Sequence, residues 1–175
     1  MQGQQRSVVR LSSVVAGAII GAIVAAIIAG VVLVVTLRDN TPLLTRAAYD
    51  DARRRWESNG PPSYNLDLQL TGREPGAIHV EVRSGEVTAM TRDGVAPQQR
   101  RTWEYWSVDS QFDLIEQELD KATDPAKGFD APPGSRVVQR AVFDPRYGYP
   151  TQYHRTVMGT PLEIRWEITR FEPVP

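Results

Sequence analysis

Thirteen residues, Phe143 to Arg155, read FDPRYGYPTQYHR and crowd three tyrosines, a glycine, two prolines, an aspartate and a histidine together. His154, one of only two histidines, stands here with Asp144, so a hydrolase would have to use His154 with Asp144 or a nearby serine. No Gly-x-Ser-x-Gly elbow presents a nucleophile, and no Gly-rich phosphate loop occurs. Zinc needs three or four ligands, and neither His79 nor His154 stands in a His-x-x-x-His or Glu-x-x-His spacing. The sequence therefore offers no metal site and implies no cofactor. Cysteine is absent, which removes thiolate chemistry, disulfides and a lipid attached through a lipobox. Glu163 and Glu167 fall on one face of a strand with Arg165 between them, an arrangement of neutralised surface charge rather than a carboxylate pair flanking a sugar.

The same thirteen residues also have the chemistry of a turn. Asp144 and Pro145 favour a type I turn, Gly148 can take a positive φ, and Pro150 forces Tyr149 to be extended where the next strand begins. Asp144, Pro145, Gly148 and Pro150 are read as a structural hairpin turn. Aromatic residues are the other feature of note. Trp103, Tyr105, Trp106, Tyr147 and Tyr149 fall in loops or at strand ends, where they would either pack onto a small core or form a contact surface for a protein, peptide or glycan.

The first 37 residues contain no acidic side chain, and the 27 positions from Leu11 to Leu37 carry no charge. As a helix they would reach roughly 40 Å, enough to cross a hydrocarbon core of about 30 Å with some tilt. The apolar run continues past every plausible signal-peptide cleavage site, so an uncleaved anchor is expected after a short cytoplasmic tail, residues 1–10. Gly17, Gly21, Ala25 and Ala29 recur every fourth position, and such a smooth face suits close packing against another helix. The lipid bilayer is thus the expected partner of residues 11–37.

Beyond residue 37 there are 20 − 2 = 18 basic and 21 acidic side chains, a net −3 with the signs interspersed. That excludes the basic stripe that nucleic acid requires. The only basic cluster, Arg53 to Arg55, reads as a solvated helix face or a contact with anionic head groups.

Thr41 and Pro42 look like the cap and first position of a juxtamembrane helix within residues 38–55, its pattern running from Leu43 to Glu57 with Leu44, Ala48, Ala52 and Trp56 near one face. Tyr64, Leu66, Leu68 and Leu70 alternate with polar residues, as do Ile78, Val80 and Val82. Ser84 and Gly85 suit a tight hairpin leading to Val87 and Ala89. Ser107 can cap a second helix with the stripe Val108, Phe112, Ile115 and Leu119, after which TDPAKGFDAPPGS reads as a long loop. Strands are expected near 136–144, 151–158 and 162–171, the last with Leu162, Ile164, Trp166 and Ile168 inward. The fold class is α+β: a transmembrane helix, then helix, three strands, helix, three strands, with an antiparallel sheet over residues 56–172.

Three segments in this order, VEVRSGEV, WSVDSQFDLIEQEL and VFDPRYGYPTQYH, resemble the DUF6174 domain family over roughly Trp56 to Phe171. The resemblance implies a bacterial protein exported or anchored outside the cytoplasmic membrane, and it brings no catalytic residue. Members often have a Cys-x-Cys between the first two strands, where this chain has LTGREPGAI. Together these readings lead to the expectation of a single-pass membrane protein whose C-terminal domain is a non-catalytic binding or envelope-accessory module. A hydrolase using His154, and a structural subunit recruited through the transmembrane helix, are the alternatives.

Overall fold

The computed structural model describes residues 41–72 and 74–175. The expected tail 1–10, the span 11–37 and its small-residue face of Gly17, Gly21, Ala25 and Ala29 lie outside the described residues. Among the described residues no helix is long and apolar enough to cross a membrane.

Two helices and a six-stranded sheet account for the core. Helix α1 spans Arg46–Asn59, strands β1, β2 and β3 span Tyr64–Thr71, Gly76–Arg83 and Glu86–Arg92, helix α2 spans Val108–Lys121 and the short α3 spans Pro125–Phe129. Strands β4, β5 and β6 span Val137–Phe143, Pro150–Val157 and Glu163–Pro173, and all neighbours are antiparallel in the order β3-β2-β1-β6-β5-β4. The sequence predicts this α+β order, with two additions: a single turn of helix, α3, inside the expected long loop, and a pair of 3₁₀ turns at Arg100–Thr102 and Glu104–Trp106.

Period-two alternation determines which sheet face is covered. Tyr64, Leu66 and Leu68 on β1, Ile78, Val80 and Val82 on β2, and Tyr153, Trp166 and Ile168 from the second half are buried beneath Tyr49, Ala52 and Trp56 of α1 and Val108, Phe112 and Ile115 of α2. Edge-on ring contacts hold the layers together, Tyr49 to Phe112 at 5.8 Å and Trp56 to Tyr64 at 5.6 Å. The opposite sheet face is polar, with Asp67, His79 and Arg170 in one cross-strand row and His154 beside Arg165 in another.

The first helix begins later than its sequence suggests. Thr45, not Thr41, is the cap, its hydroxyl accepting from the Ala48 amide at 3.1 Å. Pro42 to Leu44 are extended along β4 instead: Leu44 N donates to Gln139 O at 2.9 Å and Ala141 N donates to Pro42 O at 3.2 Å. The helix continues to Asn59, and its buried face is Tyr49, Ala52 and Trp56, leaving Ala48 exposed. On β3 a bulge opposite Glu81 and Val82 shifts the phase, so Met90 rather than Ala89 follows Val87 inward.

Burial also decides the behaviour of the core in alkali. Desolvation pushes the Tyr49 phenol from an ordinary 10.0 up to about 12, and burial raises Tyr64 and Tyr153 in the same direction. Each folded-state pKa lies above its unfolded value, so the stability these groups contribute is complete below pH 10 and declines as the pH climbs towards 12. Phenolate absorbance and loss of far-ultraviolet circular dichroism are expected to rise together above pH 10. Ionisation of all six tyrosines with native dichroism retained would contradict the packing.

Candidate binding cleft

The turn between β4 and β5 is held by Asp144. Its carboxylate accepts from the amides of Arg146 at 2.9 Å and Tyr147 at 2.6 Å, Gly148 N donates to Asp144 O at 3.0 Å, and Asp144 N donates to Tyr149 O at 2.8 Å. Gly148 takes φ +90° and is buried against α1, where an added Cβ would lie 2.3 Å from Ala52 O. Arg55 reaches the same turn, donating to Asp144 O at 3.3 Å. The other two members of the basic run are also engaged within the domain: Arg53 pairs with Glu57 and Asp113, and Arg54 with Asp51.

Tyr147 and Tyr149 meet on one ring. Phe171 lies 5.7 Å from Tyr147 and stacks on Tyr149 at 4.2 Å, and Tyr64 and Trp56 complete the cluster from below. These two tyrosines are half-buried packing residues. Trp103 is likewise engaged, with Nε1 donating to Pro97 O at 3.1 Å and the Arg100 guanidinium over its ring.

Tyr105 and Trp106 have a different setting. Tyr105 is 66% exposed, and with Trp106 it forms one wall of a cleft of about 320 Å³. Leu68, Leu70, Ile164 and Trp166 from the adjacent β1 and β6 supply apolar floor, Leu114 and Gln111 of α2 the second wall, and Glu74, Glu163 and Arg165 the charged surround. A cleft of this size with apolar walls and a few polar groups has the dimensions of a small-ligand site. Gln111 is the residue that sequence reading passes over, although a glutamine three positions after Val108 falls within the buried stripe of α2.

The histidine contacts among the described residues are those of a polar sheet face. His154 Nε2 faces both Glu163 Oε1 at 2.9 Å and Thr156 Oγ1 at 3.0 Å, whereas a triad requires acid and nucleophile on opposite ring nitrogens. Asp144 is committed to its own turn. His79 lies between carboxylates, Nδ1 at 2.5 Å from Asp67 and Nε2 at 3.8 Å from Glu81. Among the described residues no group of three or more histidine or acidic side chains is placed to hold a metal ion.

A second buried polar group joins α2 to β5. Arg155 Nε donates to Glu118 Oε2 at 2.6 Å, both side chains being less than a tenth exposed, and the Phe129 ring of α3 lies 4.8 Å from the guanidinium. Lys121 approaches Glu118 at 3.5 Å, and Gln139 Nε2 donates to the Glu118 carbonyl at 2.6 Å.

Fold and cleft define an α+β domain with one helix-covered and one polar sheet face, and with a ligand-sized opening at the covered side. Residues 48–131 match the model of DUF6174, a family of unknown function. The match takes in α1 from its third residue, β1 to β3, the Tyr105–Trp106 wall, α2 and α3, and ends before the β4–β5 turn. No curated protein and no solved structure matches the chain.

Proposed function

We propose that the chain is a membrane-anchored protein whose domain lies outside the cytoplasm and acts as a non-catalytic binding or envelope-accessory module, with the cleft beside Tyr105 as its ligand seat. The uncharged run 11–37 supports the anchor. The observation that carries the binding role is the cleft itself, apolar within and walled by an exposed tyrosine. A hydrolase built on His154 and Asp144 is disfavoured by the separate commitments of those two side chains.

Because the chain has no cysteine, Tyr105→Cys introduces a unique thiol at the cleft. A membrane-impermeant maleimide photo-crosslinker is expected to label it in intact spheroplasts and to capture a partner on illumination. Adding Leu114→Trp, which fills the cleft, should leave labelling intact and remove the adduct. Labelling only after lysis would overturn the placement outside the membrane, and an adduct indifferent to Leu114→Trp would overturn the cleft as the seat. If a chain consisting of the anchor alone recovers the same partners, the structural-subunit reading takes precedence.

A further inference from the structure

The strap of Thr41 to Leu44 is fastened to β4 along its length. The Arg140 guanidinium donates to the Thr41 carbonyl, Leu43 bridges to Arg140, and Leu44 N donates to Gln139 O. Only Arg38, Asp39 and Asn40 separate Thr41 from Leu37, where the uncharged run ends. Four trans peptide steps reach at most about 14 Å, which bounds the distance from Leu37 to Thr41. Beside the strap lies a groove of about 410 Å³ lined by Leu43, Leu44, Ala48, Val142 and Phe143, and Leu43 is 62% exposed. Arg55 lines the same groove and reaches the β4–β5 turn through Asp144 O. On that turn Arg146 is exposed, its guanidinium 4.8 Å from the Tyr147 ring, and it pairs with no carboxylate among the described residues. The two carboxylates of this corner are engaged: Asp51 pairs with Arg54, and Asp144 accepts from the amides of its own turn. Four arginines, Arg54, Arg55, Arg140 and Arg146, thus stand with two carboxylates in a chain that is net −3 beyond residue 37.

Resting on the reading of residues 11–37 as the anchor, we infer that this corner of the domain docks on the anionic phospholipid surface of the bilayer that its own chain crosses. Leu43 enters the head-group layer, and Arg146 meets lipid phosphate. One leucine and one unpaired arginine would be too weak a patch to bring a free protein to a membrane. Here the tether of three residues makes the encounter intramolecular, so a weak patch suffices. The sign of the charge decides the kind of lipid, since an excess of arginine on a domain that is otherwise acidic is complementary to anionic head groups.

The test uses the full chain in vesicles of phosphatidylcholine and phosphatidylglycerol that carry a lipid with a nitroxide on its head group. Because the chain has no cysteine, Leu43→Cys and Val95→Cys each place a single fluorophore. Val95 is 71% exposed and bridges to β3, at the sheet border opposite β4. Five strand spacings put the two borders about 24 Å apart, so quenching by the nitroxide is expected to be at least about threefold stronger at position 43 than at position 95. Arg146→Gln should lower the ratio of docked to free domain at position 43 about fivefold in these vesicles and leave it unchanged in phosphatidylcholine alone. Pro42→Cys, exposed on the same strap, repeats the measurement if Leu43→Cys folds poorly. Equal quenching at the two borders, in a chain that floats with the vesicles on a density gradient, would overturn the docking and leave the anchor standing. A chain that does not float with them would overturn the anchor reading and the docking together. Quenching at position 43 that is indifferent to Arg146→Gln and to phosphatidylglycerol would overturn the anionic lipid as the partner.

Discussion

Gly148→Val is expected to lower the melting temperature by about 6 °C or more, the result of two costs that act at one position. A β-branched residue at φ +90° carries strain of about 1–3 kcal/mol. In addition, its Cβ would stand 2.3 Å from the Ala52 carbonyl oxygen and 2.9 Å from the Trp56 amide nitrogen, both backbone atoms of α1 that cannot move without shifting the helix, which adds about 1–3 kcal/mol. For a domain of this size each kcal/mol shifts the midpoint by about 3–5 °C. Gly85→Ala is the control, because Gly85 also has positive φ but meets nothing within 4 Å, so it should incur only the smaller conformational cost. Equal midpoint shifts for Gly85→Ala and Gly148→Ala would show that the contact with α1 is not what matters.

The next largest effect is expected at the α2–β5 junction. Arg155→Met keeps much of the stem but removes the cation that faces Glu118, and a buried carboxylate left without its partner costs about 3–5 kcal/mol. Lys121 stands farther off and is more exposed, which limits its ability to compensate. The double variant Glu118→Leu with Arg155→Met should recover most of the loss, since a well-packed apolar pair is often as stable as a buried ion pair. Urea unfolding of the two variants decides the matter: a single variant as stable as the unaltered chain would mean that water already reaches Glu118.

The strands of the sheet were legible because one buried face forces a period of two, and Leu66, Leu68, Ile78, Val80, Trp166 and Ile168 all follow it. The same logic places Phe112 and Ile115 in α2. Bulges were not legible: Thr88 on β3 and Thr169 on β6 shift the phase through backbone pairing that no side chain announces. The start of α1 was ambiguous because Thr41 and Thr45 both have capping chemistry. The choice falls on Thr45 since the backbone of Pro42 to Leu44 is claimed by β4, about a hundred residues away. Of the candidate aromatics, the turn chemistry around Gly148 could be read directly, whereas the ring on which Tyr147 and Tyr149 rest belongs to β6. The cleft was hidden for the same reason. It is assembled from β1, the 3₁₀ turn, α2 and β6, so of its lining only Tyr105 and Trp106, aromatics in a loop, stood out in the sequence as candidate contact residues.

The short extended segment Pro42 to Leu44 has a consequence for self-association. A six-stranded sheet has two borders, and this segment occupies the middle of one of them by pairing with β4. Strand addition from another molecule is thereby disfavoured at that border, and among the described residues the β3 border, which pairs outward only through the local Arg92–Val95 bridge, is the more open of the two.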